Sequence, residues 1–512
     1  MRGNVQPAVT SITRQQALER LRSETFDVLI LGGGINGAGT ARDLALRACV
    51  AQVPLRIGLI EQNHFGSGTS SKNSHLIHGG LRYLRQLAFG LVRESLHERA
   101  VLLRIAPHLV EPQLFLMPLA GLAREIYYNL GLTLYDRLSG NETLPHHRRL
   151  SLVEVRRLEP ALAAPGLTGA AEFHDAQVRS GRMVLENVFE AIANGAACAN
   201  YVRAEARERD RGGLWRTRLH DTISGQIFET VARALIDATG PWAHDPAPRL
   251  VRGSHIVLPR LNASDHAIAY FEDAGRIIFL IPWGERRDRT LVGTTDVDHT
   301  GSPDEVHISE EETRYLRSIA ERLFPQSAQY EPVATFSSLR PLLASTGSPT
   351  RASREYHIFF DAHGVLRITG GKFTTYRLMS EEAANMIAAE IAPVLRDVHV
   401  SADRALNGNT REAVDELLAG AGQLAASYGI ETSEVTMLVR QYGVLAPAVL
   451  EYIPAEAPAN LSRLDAARLK YAVQHEMAQY ARDFLEVSTT LAHEGRPALL
   501  PPGCGVRASR SE

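Results

Sequence analysis

The sequence predicts an α/β Rossmann-like nucleotide-binding domain, an α+β substrate domain built on a mixed β-sheet, and a C-terminal all-α domain. Three observations predict it. A β-rich run, 26–31, leads through Gly32-Gly33-Gly34-Ile35-Asn36-Gly37 into a helical stripe of Ile35, Ala38, Ala41, Ala45 and Ala48, which is strand, glycine turn and helix in that order. Strand and helix signals then interleave along the middle of the chain. After Asn407-Gly408-Asn409 the strand signals fade and Ala/Leu/Glu-rich helical stretches follow, 464–492 among them.

Taken in order, residues 1–25 are polar, mixed in charge and without an apolar signal-peptide core, so they read as an N-terminal extension with no secretion signal. The run 26–31 is a buried strand. The helix after the glycines crosses over to a second run, 55–60, preceded by Pro54, ending at Glu61 and parallel to the first. Leu185, Val188, Phe189 and Ile192 mark an amphipathic helix, and 234–238 is a short strand that breaks at Thr239-Gly240-Pro241. Further strands are expected at 277–281, 290–293 and 365–369. Between them Ser309 and Glu312 form a capping box, opening a helix whose Leu316, Ile319 and Leu323 face inward. The aromatic-rich stretch 126–132 has two readings, an apolar face laid on a bilayer and a core helix. The tail from Pro497 is expected to fray.

Composition narrows the function. A chain of 512 residues exceeds one ordinary core and favours two or three domains. With 45% hydrophobic and 22% charged residues it is globular, neither a disordered chain nor a small disulfide scaffold. Lys+Arg at 55 against Asp+Glu at 58 leaves a net charge of -3, so no global field draws nucleic acid and any anion site is local. Cys49, Cys198 and Cys504 have neither metal-ligand nor disulfide-framework spacing; they suit a reducing compartment, and no metal site is expected. The apolar runs fall short of the roughly 20 residues of a spanning helix, so a membrane would be met only at its surface.

The glycine turn carries the first chemistry. Gly32 permits the tight turn, Gly34 lets a pyrophosphate approach the backbone, and Gly37 lets helix pack on strand. Ile35 and Asn36 open a helix whose free amides and partial positive charge attract phosphate. Glu61, ending the second strand, is placed to accept from an adenosine ribose, which favours NAD or FAD over NADP. Thr69, Ser70 and Ser71 supply hydroxyls for phosphate or ribose oxygens, Thr239 and Gly240 end a later strand, and Gly371, Lys372, Phe373 and Thr374 open a later helix. Each also reads as an ordinary turn. Together they suit a long cofactor touched by distant parts of the chain, FAD.

These segments carry a resemblance. Gly32-Gly33-Gly34-Ile35-Asn36-Gly37-Ala38-Gly39, Leu76-Ile77-His78-Gly79-Gly80-Leu81-Arg82-Tyr83-Leu84, Ala106-Pro107-His108-Leu109 and Ala238-Thr239-Gly240-Pro241-Trp242 are similar to FAD-dependent, aerobic-type glycerol-3-phosphate dehydrogenases. So are Gly253-Ser254-His255-Ile256-Val257, Ile281-Pro282-Trp283, Gly293-Thr294-Thr295-Asp296, Leu339-Arg340-Pro341-Leu342 and Gly370-Gly371-Lys372-Phe373-Thr374-Thr375-Tyr376-Arg377. They run in order over nearly the whole chain.

The resemblance implies an amino-acid-oxidase-like or p-hydroxybenzoate-hydroxylase-like FAD fold. The FAD-binding domain would comprise 26–110, 165–250 and 350–400, the substrate-binding or cap domain 111–164 and 251–349, and the helical domain 401–512. It implies oxidation of sn-glycerol 3-phosphate to dihydroxyacetone phosphate and electron transfer to a membrane quinone, by a cytoplasmic enzyme peripheral to the inner face of the cytoplasmic membrane. Arg82, Arg340, Arg354 and Lys372 match positions around the substrate phosphate. His255 suits a general base for the alcohol proton, with Arg340 orienting the hydroxyl and solvent as the alternative base. Tyr83 either donates to the phosphate or packs beside the flavin; Thr295 and Asp296 either shape the pocket or form a turn. His78, with Gly79 and Gly80, either lines the flavin or sits in a packed turn. A homodimer is left open.

Three departures stand against this. His75 replaces a usual Lys or Arg, 174–182 lacks the paired aspartates, and 485–491 lacks a basic pair. The alternatives are a glycerol-3-phosphate oxidase using oxygen, an FAD dehydrogenase of another phosphorylated or hydroxy-acid substrate, and a non-catalytic FAD-binding module.

Overall fold

Thr25–Leu31 is buried from Phe26 almost throughout, and a strand covered on both faces belongs in the middle of a sheet. In the computed structural model, which describes residues 13–140, 144–244, 247–272, 276–343, 355–458, 460–496 and 505–507, it pairs in parallel with Ile57–Ile60 on one side and Ile227–Asp237 on the other. The sheet runs Tyr356–Phe360, Leu366–Gly370, Ile227–Asp237, Thr25–Leu31, Ile57–Ile60, Ala197–Ala199. Helices Ile35–Ala51, Ser180–Ala193 and Tyr376–Ile391 cover one face through Ala41, Ala45, Val184, Val188, Ala383 and Ile387.

The other face is closed by Val202–Arg209 and Trp215–Asp221, an antiparallel pair feeding into Ile227–Asp237, and by the helix Arg14–Ser23. Ala17, Leu18 and Leu21 of that helix are buried against Trp215 and Leu219. The segment read as an N-terminal extension thus enters the core of the first sheet from Thr13, its capping residue, onward; residues 1–12 lie outside the described residues.

The second sheet is mostly antiparallel. Its order is Val297–Asp298, Arg249–Pro259, Arg289–Gly293, Ile277–Trp283, Ala267–Phe271, Val110–Ala120, Leu167–Val178, Leu76–Ile77, with Ala334–Leu342 also on Arg249–Pro259. Leu167–Val178, expected in the nucleotide-binding domain, pairs with Val110–Ala120 from Val110↔Val178 to Ala120↔Leu167. A strand as long as Val110–Ala120 needs a long partner for its backbone groups, and that pairing carries both into the second sheet. The helix Glu310–Leu323 has the expected capping box and packs Leu316, Ile319 and Leu323 on one face of this sheet, against Ile256 and Leu258.

The two readings of 126–132 divide along one helix. Leu122–Ser139 buries Leu132 and Tyr135 while Leu122, Ile126, Tyr127 and Leu130 are exposed.

The C-terminal helices Arg411–Ala419, Ala421–Tyr428, Thr432–Tyr442 and Arg463–His475 enclose their own core, including Val435, Leu438, Val439 and Tyr471. The expected long helix over 464–492 stops at His475; Met477 has φ +56° and only short turns follow. Tertiary contacts override helix propensity here. Glu476 is buried, pairs with Arg182 and accepts from Ser488 Oγ. The Val487 backbone rests on Gly181, where a Cβ would lie 2.7 Å from its carbonyl oxygen. Arg182 also stacks on Tyr442, 4.1 Å from the ring centroid. Of the tail from Pro497, only 505–507 is among the described residues.

Replacing Arg182 with Ala leaves the Glu476 carboxylate buried without its counter-charge, which costs about 3–5 kcal/mol. Urea unfolding followed by far-UV circular dichroism should show a clearly lower midpoint for the variant; an unchanged midpoint would remove this pair from what holds the C-terminal domain down.

Candidate functional site

Gly32 has φ +103°, and a Cβ there would sit 2.5 Å from the Ala238 carbonyl oxygen. At Gly37 a Cβ would sit 1.9 Å from the Gly32 carbonyl oxygen, so helix and strand touch backbone to backbone. Gly34, between them, differs. A Cβ there would meet only Ser70 Oγ, at 3.3 Å, and Gly34 caps Ile35–Ala51 without any side-chain capping bond. The bare backbone opens into a cavity of about 1000 Å³, lined here by Gly32, Gly34, Ile35 and Asn36.

Ser70 Oγ accepts from the Ile35 amide at 3.0 Å, which brings the 66–74 loop across the helix N-terminus. Glu61 accepts from Gly33 N at 2.7 Å and Asn63 N at 2.8 Å, leaving each oxygen a second acceptor position beside the cavity. Burial pushes its carboxyl upward, against those two amides. At the end of the central strand Thr239 donates to Asp237 through its amide and hydroxyl, at 3.1 and 2.6 Å, so the chain turns with Thr239 and Gly240 in the cavity wall. Gly371 has φ +87°, and a Cβ there would strike Met379 Sδ at 2.4 Å. Thr374 Oγ1 accepts from His78 N at 3.2 Å and so ties Phe373–Thr375 to the strand end at His78. Open helix amides, small residues, hydroxyls and an acidic ribose partner on one wall fit a flavin dinucleotide.

The same cavity continues to a polar end. His255 lies on Arg249–Pro259, in register with Gly293 and Phe336. It is 1% exposed, its Nε2 is 2.9 Å from Ser74 Oγ, and it stacks on Phe336 at 5.0 Å. Arg340, on the neighbouring strand, donates to the Thr295 carbonyl at 3.1 Å, Asp296 Oδ1 at 2.9 Å and Thr294 Oγ1 at 2.9 Å. Two glycines make the room. A Cβ at Gly293 would lie 2.2 Å from the His255 ring, and one at Gly253 would lie 2.3 Å from the Arg340 guanidinium. Lys372 Nζ sits 4.2 Å from the centroid of buried Tyr83 and donates to Ser95 Oγ at 2.8 Å.

Three buried histidines surround Phe336. His75 is 6.4 Å from its ring, His255 5.0 Å and His493 4.6 Å. Burial first, then neighbouring cationic groups, holds His255 and His75 well below the ordinary histidine value, and His493 is pushed down to about 3. His75 therefore supplies a neutral ring bonded to Ser180 Oγ at 2.8 Å where a fixed cation was expected. The missing aspartate pair is explained alongside. Asp175 is buried and spent on Arg99, Tyr135 and Gly79.

Most of the residues singled out from sequence line this cavity: Glu61, Thr69, Ser70, His78, Gly80, Tyr83, Thr239, Gly240, His255, Arg340, Gly371, Lys372, Phe373 and Thr374. Four stand behind the wall. Gly37 serves helix packing, and Ser71 is buried beneath its loop with no protein partner for its hydroxyl. Gly79 donates to Asp175 with Leu96 and Tyr135 packed on it. Thr295 supports Arg340 from below and donates to Glu312. The Arg82 side chain and all of Arg354 lie outside the described residues. Ser74, Thr294, Gly253 and Gly293 were missed. The two glycines carried a readable signal, since glycine inside a strand marks a close approach.

A family model described as FAD dependent oxidoreductase matches residues 27–377, and one described as the C-terminal domain of alpha-glycerophosphate oxidase matches 400–500. The chain is 33% identical to a glycerol-3-phosphate dehydrogenase of Mycobacterium leprae, over 97% of this chain and 85% of the relative. It is 33% identical to the aerobic glycerol-3-phosphate dehydrogenase of Escherichia coli, over 90% and 93%. The solved structure of a Bacillus halodurans glycerol-3-phosphate dehydrogenase complexed with FAD superposes with a TM-score of 0.75 at 26% identity, covering 93% of this chain and 88% of that one. The chain belongs to the FAD-dependent oxidoreductases and, within them, to the glycerol-3-phosphate dehydrogenases; it is an enzyme and its cofactor is FAD.

Two outcomes follow. Gly34→Val puts a branched side chain where the cofactor phosphates need bare backbone, so the purified variant should lose most of its flavin absorbance while keeping its far-UV spectrum. Full flavin occupancy would refute the placement. The histidine cluster sets an acid limb of stability. Unfolded, these rings take up protons near their ordinary value of 6.5, whereas the folded rings do so only at lower pH. The unfolded state therefore binds more protons below that value, and each ring costs about 1.4 kcal/mol of stability per pH unit of descent. Urea midpoints should fall between about pH 6.5 and pH 5, and His493→Phe should flatten the slope.

Proposed function

We propose that this chain oxidises sn-glycerol 3-phosphate to dihydroxyacetone phosphate and delivers the electrons to a membrane quinone. The observation that carries the reading is one continuous cavity joining the glycine turn to His255, Arg340 and Lys372. FAD, when bound, supplies the hydride acceptor. The protein's own groups do the rest: they seat the phosphate, orient the secondary alcohol and take its proton.

Arg340 is a forked donor held on three sides, so it meets substrate with little freedom left to lose. Lys372 and Tyr83 offer an ammonium and a phenol on the opposite strand end, and the resemblance gives Arg82 and Arg354 to the same phosphate. His255 is held neutral by burial and by Arg340, and the neutral ring is the form that accepts a proton. The alcohol proton goes to its Nε2, beside Ser74 Oγ, while Arg340 stabilises charge on the oxygen.

Membrane contact is supported by the exposed stripe Leu122, Ile126 and Leu130, spaced one helical turn apart with exposed Arg124 and Arg137 along the same helix. Among the described residues no helix is long and apolar enough to cross a membrane. We place the enzyme on the inner face of the cytoplasmic membrane.

Anaerobic addition of glycerol 3-phosphate should bleach the bound flavin. A band that persists until a general reductant is added would overturn the substrate assignment. Arg340→Ala should raise KM and lower kcat/KM by about 10- to 100-fold, the loss of a charged hydrogen bond. Quinone reduction without hydrogen peroxide release is the expected turnover; peroxide in proportion to substrate would make the enzyme an oxidase.

A further inference from the structure

The strand Arg249–Pro259 sorts its side chains by parity. Val251, Gly253, His255 and Val257 face the cavity side, while Ser254, Ile256 and Leu258 face the helix Glu310–Leu323. Beneath His255 and Arg340, on that helix side, lies one carboxylate that neither the resemblance nor the cavity lining includes. Glu312 is 4% exposed.

Glu312 Oε1 accepts from Ser254 Oγ at 2.8 Å and from Thr295 Oγ1 at 2.6 Å. Thr295 Oγ1 in turn accepts from the Ser254 amide at 2.9 Å, and Ser337 Oγ donates to Ser254 Oγ at 2.8 Å. Glu312 Oε2 pairs with Arg252 at 2.8 Å and accepts from the Ser309 amide at 3.1 Å. Three elements therefore end on this one group. They are the strand bearing His255, the 294–296 turn that clamps Arg340, and the strand bearing Arg340, which reaches it through Ser337.

A buried carboxylate stays charged there because it sits in the first turn of a helix, where the dipole favours an anion, and because four donors face it. A helix cap alone needs only Oε2. Oε1 is spent entirely across the sheet, on the neighbours of the two reacting side chains.

We propose that Glu312 is a positioning residue that sets the separation of His255 from the Arg340 guanidinium, and so governs the rate of substrate oxidation. The inference rests on the reading of His255 and Arg340 as the substrate-side groups. Misplacement of such a pair by as little as about 1 Å costs on the order of 100-fold in rate.

The test is anaerobic stopped-flow reduction of the flavin-loaded enzyme by glycerol 3-phosphate, resolving limiting rate from half-saturation. Glu312→Ala should lower the limiting rate by on the order of 100-fold, more than it raises half-saturation. Glu312→Gln keeps a carbonyl for Ser254 and Thr295 and still closes the capping box, so it should recover most of that loss. Ser309→Ala removes the cap and leaves Oε1 untouched; it should lower the unfolding midpoint but stay within about twofold of wild type in rate.

If Glu312→Ala does not fold, Thr295→Val tests the same link with the cap intact, and a loss of about 10-fold is expected. Rates for Glu312→Ala equal to Ser309→Ala, or a wild-type rate for Thr295→Val, would overturn the proposal. Wild-type enzyme that glycerol 3-phosphate fails to reduce would instead overturn the substrate reading beneath it.

Discussion

The structure depends on a backbone contact that no side chain can share. Gly37 sits against the Gly32 carbonyl so closely that a Cβ would overlap it, and Gly32 is equally tight on Ala238. Because helix and strand meet at that distance, the N-terminus of Ile35–Ala51 is aimed at the space above the strand ends instead of passing over them. The neighbouring helices, Ser180–Ala193 and Tyr376–Ile391, then pack on the alanine-rich flank this helix presents. Close packing of small residues thus decides where the phosphates of a cofactor meet free amides, and the cavity follows from that placement.

The second sheet solves a different problem. It must carry charged and titratable groups into a cavity wall while keeping an apolar core behind them. Strand alternation does this without loops, since neighbours on one strand point to opposite faces. His255 and Arg340 stand on the cavity side beside two glycines, while Ile256 and Leu258 sink into the helix Glu310–Leu323. Buried polar groups demand partners, and here each is answered. Ser74 meets His255, the 294–296 turn meets Arg340, and Glu312 gathers the hydroxyls underneath. The site is rigid because its supports are strands and one helix terminus.

The C-terminal helices have their own core yet reach into both units. Arg182 and Glu476 make a buried ion pair across that boundary, Tyr201 donates to Asp483 at 2.6 Å, and Lys72 meets Glu486 at 3.0 Å beside the cavity. His493 arrives on Phe336, the ring against which His255 stacks. Residues more than two hundred positions apart therefore share one electrostatic environment, and the neutral state of His255 depends on packing as much as on its own strand.

Periodicity and glycine spacing alone determined the βαβ opening, the run of strands and helices, the capping box at Ser309 and the helical C-terminal texture, because each is a local pattern of burial or backbone freedom. Residue types matched to a known family named His255, Arg340 and Lys372. Three things were decided only by the tertiary structure. The strand Leu167–Val178 joined the sheet that offered it a full-length partner. The stretch after His475 gave up its helix to a buried ion pair and a glycine contact. Ser74, Thr294 and Glu312 became neighbours of the site through pairings between strands far apart in the chain. Local sequence encodes which face of an element is buried; it does not encode which distant element will cover that face.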